Sequence, residues 1–398
     1  MRRGLLPLLF LAAACGRPRG GVAAFIDTLP GGVIRVQNHG PSGWQDTAQI
    51  TFTEVQRIQP ADGAPGELGN IMDVVMDRAG RIYVAEQGPT RIDRFGPDGS
   101  FEGSVGREGG GPGEYEATML ANVGGQLVVH DPQQRRTSVF DSAGKFVRGW
   151  PSSCCMWRSI GADTTGNVYV PVPPSGGVMS DQGPGWIRFR LDGSVSDTLW
   201  RRSEPDKNRY WTFTSGPGNV TRFNIPFQPS LVDIPWPGGG LLIGDQATYS
   251  ITIAPHGGDS AVVFGRTWTP RAIPDSIREH TLSTWTSRNE RLKAVARVED
   301  IPTTYPAFNG MVVDADLRVW VQRSNPDPAG GSFWDLFAPT GIWLGTVHAP
   351  FHTGRVVFRR GEVLVVTTDA NDLPVLLRYK LTERGGRERD GGVTLGSE

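Results

Sequence analysis

The stretch DVVMDRAGRIYVAE, Asp73 to Glu86, holds a short apolar strand, a turn centred on Gly80 and a second strand rich in Ile, Tyr and Val. The same unit returns as MLANVGGQLVVHD (Met119 to Asp131), SIGADTTGNVYVP (Ser159 to Pro171), SLVDIPWPGGGLLIGD (Ser230 to Asp245) and GMVVDADLRVWVQ (Gly310 to Gln322). A degenerate sixth pass, RVVFRRGEVLVVTTD, spans Arg355 to Asp369. The turn centres Gly80, Gly125 and Gly166 lie 45 and 41 residues apart, and Gly240, Asp316 and Gly361 continue the series at longer gaps. Self-similarity at such a period marks a repeat architecture.

Two further strands follow the first unit, Arg91 to Phe95 and Phe101 to Val105, joined by the turn Pro97-Asp98-Gly99. The second unit repeats the layout with Thr137 to Phe140 and Lys145 to Arg148, and the third with Trp186 to Arg190 and Val195 to Leu199. Four-stranded units in series predict an all-β, six-bladed β-propeller with antiparallel blades. The sixth unit supplies only three strands, Arg355 to Phe358, Glu362 to Val366 and Val375 to Leu381. The run ITFTEVQRI, Ile50 to Ile58, is expected to supply the fourth, pairing the chain ends and removing an open sheet edge.

With 398 residues, 53 Gly and 31 Pro, the chain suits one turn-dense radial domain. A net charge of −1 offers no electrostatic case for nucleic acid or an anionic membrane surface. Arg2 and Arg3, then the apolar run Leu5 to Ala14, then Cys15, read as a bacterial secretory signal of the lipoprotein kind, with Cys15 lipidated. Conventional cleavage after Ala12-Ala13-Ala14, leaving Cys15 a plain thiol, is the alternative. The expected organisation is a signal over 1–15, a linker over 16–30, the propeller over 31–383 and a disordered, charged, Gly-rich tail over 384–398. The product is expected to be exported to the cell envelope as an outer-membrane lipoprotein facing the periplasm or the cell surface, and to be monomeric.

The strings IDRFGPDGSFEGSVGREGGGPGEYE (Ile92 to Glu116) and TSVFDSAGKFVRGW (Thr137 to Trp150) resemble the NHL-type and bacterial six-bladed propellers. RVQNHGPSGW (Arg35 to Trp44) resembles the entry segment of the lipoprotein-like six-bladed group. The resemblance covers residues 31–171 best. It implies the fold, and it leaves function open between binding modules, lactonases and lyases.

In a propeller the B–C and D–A connections share one face. The long segments here all fall in that class: Arg107 to Thr118, Trp150 to Arg158, Val172 to Gly185, Trp200 to Pro229, Arg266 to Ala307 and Gln322 to Ser332. Long loops on one face of a rigid scaffold are where binding and catalysis concentrate. The longest contains a predicted helix over Asp275 to Val298, with Ile277, Trp285, Leu292 and Val295 on one side. It is expected to pack on the propeller, with a lid over the channel as the sharper alternative.

Candidate site residues come from strand ends on that face. Glu86, Asp131, Asp245 and Asp369 end strand B in different blades, so they could converge at the channel mouth. Resemblance to gluconolactonase-like propellers would then imply calcium or another divalent metal in the channel, although the primary expectation is no cofactor and no metal. Arg91, Arg135, Arg158 and Arg323 lie near the same connections and could frame an anionic or polar ligand. His130 ends a strand B beside Asp131, and His348 and His352 stand together in HAPFH. No third histidine matches them as a zinc set would require, so they read as loop or surface histidines. Cys154 and Cys155 are adjacent in an expected exported protein, which admits a vicinal disulfide. No nucleophile elbow, phosphate loop or paired catalytic carboxylate is present, so no catalytic residue is assigned. The leading expectation is a binding module for an envelope protein, peptide or glycan, touching the membrane only through its lipid. The alternative is a metal-dependent lactonase, hydrolase or lyase using the channel.

Overall fold

The computed structural model describes residues 24–40, 44, 49–174, 182–202, 209–216, 218–257, 260–324, 330–351 and 355–384. Cys15, His352 and the tail beyond Arg384 lie outside them. Six four-stranded antiparallel blades form a ring. Blade 1 runs over Ile71–Ser104, blade 2 over Met119–Pro151, blade 3 over Gly161–Arg202, blade 4 over Leu231–Arg266 and blade 5 over Phe308–Ala349. Blade 6 takes three strands from Val356–Glu383 and its outer strand from Ile50–Ile58, which pairs with Pro374–Glu383 from Ile50↔Glu383 to Ile58↔Leu376. The expected closure by the N-terminal strand is therefore the observed one.

Two sequence features build the blades. The first is the left-handed turn between strands A and B, where Gly80 and Gly166 sit at φ +90° and +89°, a region that favours glycine. Blades 4 and 5 place this position at Gly239 and Leu317, one residue before and one after the turn centres read from the sequence. The second is an aspartate three residues earlier. Asp77, Asp163 and Asp314 each accept the backbone N–H four residues on, at 2.9 to 3.0 Å. Asp163 and Asp314 also accept the Tyr169 hydroxyl at 2.9 Å and the Trp320 indole N–H at 2.8 Å, six residues on. One side chain thus sets the turn and anchors the aromatic ring that fills the blade.

Strands A and B carry apolar residues on both faces because each blade is sandwiched between two others. The buried side chains divide into one cluster per interface, such as Val74, Ile82, Val84 and Phe95 of blade 1 against Leu364 and Leu376 of blade 6. The interface of blades 4 and 5, built on Tyr249, Phe264, Phe308 and Phe337, is aromatic-rich. The seam of blades 3 and 4 is thinner, with Tyr169, Trp186 and Leu241 as its buried members among the described residues.

The amino-terminal segment differs from the expected linker. Ala24–Thr28 is a strand, paired with Ile34–Asn38, so the ordered body begins inside the stretch read as linker. Ile34–Asn38 then adds parallel to the outer strand of blade 4. From there Asn38 bonds the carbonyls of Gly265 and Gly341 and receives the Trp343 N–H, and the Trp44 N–H reaches the Leu344 carbonyl. The segment is a belt across blades 4 and 5 before it enters blade 6.

The insertion helix also differs from expectation. Asp275–Arg288 and Glu290–Val295 are two helices broken at Asn289, whose side chain caps the second by accepting the Arg291 N–H. A short polar side chain that prefers the cap explains the break better than any interruption in hydrophobicity.

Candidate functional site

The six inner strands surround a central channel of about 530 Å³. Its lining is mostly apolar, with Val74, Leu120, Ile160, Ile234, Met311 and Val357 among the residues that border it. Polar residues interrupt it at few places. Asp73 and Arg355, from blades 1 and 6, form an ion pair. Asp73 also accepts the backbone N–H of Val74 at 2.8 Å and of Leu120 at 2.9 Å, so it ties three blades together at the channel wall. Burial raises the pKa of Asp73 above the ordinary carboxylate value, against the Arg355 charge and the two N–H groups. Asn122 and Gln322 also line the channel, and the Nδ2 and Nε2 of these amides have no hydrogen-bond partner among the described residues.

The strand-B acids do not gather. Glu86 receives the Gly69 N–H and pairs with Arg91 at 2.6 Å. Asp131 takes the N–H groups of Gln133, Gln134 and Glu116. Asp245 takes the Ala247 N–H and the Thr248 hydroxyl, and Asp369 the N–H groups of Asn371 and Leu373 and the Gln59 amide. The three aspartates each shape their own B–C turn, as aspartates at strand ends do, while Glu86 is held by Gly69 and Arg91 instead. Among the described residues, no three His, Cys, Asp or Glu side chains stand where they could share a metal ion.

The arginines are likewise engaged. Arg91 bridges Glu86 and Asp93, the latter at 2.9 Å. Arg158 reaches Asp233 at 3.3 Å and lies over the Trp186 ring, whose indole N–H bonds the same carboxylate at 2.6 Å. Arg323 and Arg266 converge on Asp335 at 2.7 and 3.0 Å, and Asp335 further accepts the Tyr249 and Thr346 hydroxyls. Arg135 is exposed, at φ +54° in its turn, and its carbonyl accepts the Ser152 N–H. Sequence reasoning named Arg158 and Arg323 but missed Asp233 and Asp335, which hold them. A lone aspartate in the apolar strand Leu231–Pro235 was the available signal for the first.

His130 is fully buried, contrary to its reading as a loop or surface histidine. Its Nδ1 faces the hydroxyls of Thr137 and Ser152, and its Nε2 has no partner among the described residues. Burial lowers its pKa to about 4, and the neighbouring Asp131 opposes this only in part. The unfolded state therefore takes up a proton that the folded state refuses as pH falls from about 6.5 to 4. Stability should drop over that window by on the order of 3 kcal/mol from this group. His130→Gln should flatten that part of the urea-unfolding profile against pH, whereas an unchanged slope would remove His130 as its source.

Cys154 and Cys155 are joined by a disulfide in the loop between blades 2 and 3. Beside it Trp157 is exposed. The two longest insertions on this face meet each other. The strands Tyr210–Gly216 and Asn219–Asn224 form a hairpin between blades 3 and 4. Trp211, Phe223, Ile225, Leu282, Leu292 and Ile301 form one apolar cluster between this hairpin and the helices. Trp211 donates its indole N–H to Asp300 at 2.9 Å, meets the Trp285 ring edge-on, and Arg291 lies over Phe213. The helices thus pack on the preceding insertion, and the pair forms a cap with its own core.

No family model matches the chain, and no curated protein matches it. Solved structures with a similar chain path include a candidate exported protein of Bacteroides fragilis, at 11% identity and TM-score 0.49, covering 88% of this chain and 100% of that one. A DUF4221 family member from Bacteroides vulgatus has 9% identity and TM-score 0.48, covering 85% and 100%. Virginiamycin B lyase from Staphylococcus aureus has 11% identity and TM-score 0.42, covering 84% and 99%. The six-bladed assignment rests on the strand pairings above.

Proposed function

We propose that this propeller is an exported binding module, tethered through lipid on Cys15, that presents its loop-rich face to an envelope protein, peptide or glycan. The observation that carries the reading is the cap. Two insertions from successive blade connections share an apolar core, an investment that random loop growth does not require. Outside that core Ile277 and Trp285 remain 41% and 37% exposed, and Trp157 lies exposed in another connection of the same face. Half-exposed aromatic and aliphatic groups on a rigid support suit recognition of a partner surface. The strand-B acids, committed to hydrogen bonds and an ion pair of their own, give the metal-dependent hydrolase alternative no comparable support.

Photo-crosslinking side chains placed at positions 277 and 285 should give discrete adducts in the native envelope, and one placed at 195 should not. Position 195 follows a C–D turn on the opposite face and is also exposed. Equal labelling from both faces, or none, would sink the proposal. Fatty-acid labelling that persists in Cys15→Ser would remove the anchor from it.

A further inference from the structure

The structure assigns the central channel a second role, independent of the loop-face partner: it is a site for a small, uncharged molecule with an apolar body and amide-type carbonyl oxygens. Its dimensions suit such a guest, since about 530 Å³ falls within the range of small-molecule pockets, roughly 300 to 1,000 Å³. The wall supplies apolar contact through Leu120, Ile160, Met311 and Val357.

The polar groups define the rest. Gln322 is only 6% exposed, lines the channel, and carries an Nε2 without a partner among the described residues. Asn122 Nδ2, on the wall of the same channel, is also unpartnered. A buried N–H donor left unpaired is costly, so two in one cavity mark places where an acceptor is missing. Both donors are neutral amides. The charged groups at hand, Asp73 and Arg355, already neutralise each other. An anionic guest would compete with Asp73 for Arg355 and leave a buried carboxylate uncompensated, whereas a carbonyl oxygen satisfies the amides without disturbing the pair.

Gly310 supplies the opening. It pairs with Gln322 across strands A and B of blade 5, and Gln322 pairs with Trp334 on strand C. A Cβ at Gly310 would meet nothing within 4 Å. With no side chain there, the buried Gln322 and Trp334 border the channel, although neither lies on an inner strand. A larger residue at 310 would fill this recess without a clash at its first carbon.

The test uses N-acetyl-phenylalaninamide, a neutral diamide with an apolar ring, and its charged counterpart N-acetyl-phenylalaninate. Saturation-transfer NMR on the purified protein should show saturable diamide binding, with the carboxylate weaker by about tenfold. Gln322→Leu should weaken diamide binding about fivefold, the worth of one hydrogen bond. The same substitution should leave the melting temperature unchanged or raised, because it removes an unsatisfied donor. Gly310→Val should abolish binding while the fold, followed by near-ultraviolet dichroism, is retained. Absence of saturable binding, equal binding of the carboxylate, or binding indifferent to both substitutions would overturn the assignment. So would a large destabilisation by Gln322→Leu, which would reveal that Gln322 already has a partner.

Discussion

Asp335→Asn is expected to lower the free energy of unfolding by about 3–5 kcal/mol. Asp335 is fully buried on the third strand of blade 5, and it receives Arg323 through two nitrogens, Arg266 of blade 4, the Tyr249 hydroxyl and the Thr346 hydroxyl. Burial works to raise its pKa, but the Arg323 hydrogen bonds, the two guanidinium charges and Tyr249 outweigh burial and hold the carboxyl below its ordinary value. An asparagine keeps the shape and loses the charge, leaving two part-buried guanidinium groups without their anion. Because the folded pKa is depressed, the stability from Asp335 is present above the ordinary carboxylate value and is lost as pH falls below it. Urea denaturation at neutral pH should therefore separate the variant from the wild type, and the gap should narrow in acid. A difference under about 1 kcal/mol at pH 7 would show that the cluster contributes no more than a surface pair.

Removing residues 1–58 is expected to abolish the folded ring. The deletion strips the outer strand of blade 6, with Ile50 and Ile58 each nearly fully buried and Phe52 packed edge-on against Trp320, Phe351 and Tyr379. It also bares the whole hydrogen-bonding edge of Pro374–Glu383. The complementary variant should recover the fold. Because Arg384 donates its N–H to the Gln49 carbonyl at 2.8 Å, residues 49–58 can be moved to follow Arg384 through a short turn, making blade 6 continuous. Size-exclusion chromatography and thermal melting should show a monomeric, cooperative permutant beside an aggregating truncation. A truncation that melts like the full chain would refute the closure as a stabilising element.

The blades were legible because their turns demand particular residues at fixed offsets. Asp77, Gly80 and Tyr83 are local in sequence, and so are their counterparts around Gly166. The belt was not legible, because Ala24–Thr28 is stabilised by pairing with Ile34–Asn38 and through it with Val262–Arg266, more than 200 residues on. Site groups divide in the same way. Glu86, Asp131, Asp245 and Asp369 all stand at or next to the end of a strand B, where the three aspartates bond their own turns and Glu86 bonds Gly69 and Arg91. Asp73 and Arg355 are 282 residues apart and meet only because the ring closes. Asn122 and Asp73, each a polar residue in an otherwise apolar inner strand, were the visible trace of the polar interruptions in the channel wall.

The belt sets an order of events during synthesis. Residues 24–58 are made before the strands they pair with, which belong to blades 4, 5 and 6. At about 5–20 residues per second, the interval from Ile58 to Glu383 lasts roughly 15–65 s. Through that time the leading segment, with its apolar Phe25 and Ile26, lacks the distant strands it pairs with. Such a chain gains from a chaperone that holds the leading segment until the final strand arrives, and its yield should depend on how long that hold lasts. The same contact that completes the ring thus makes an early part of the chain the last to find its place.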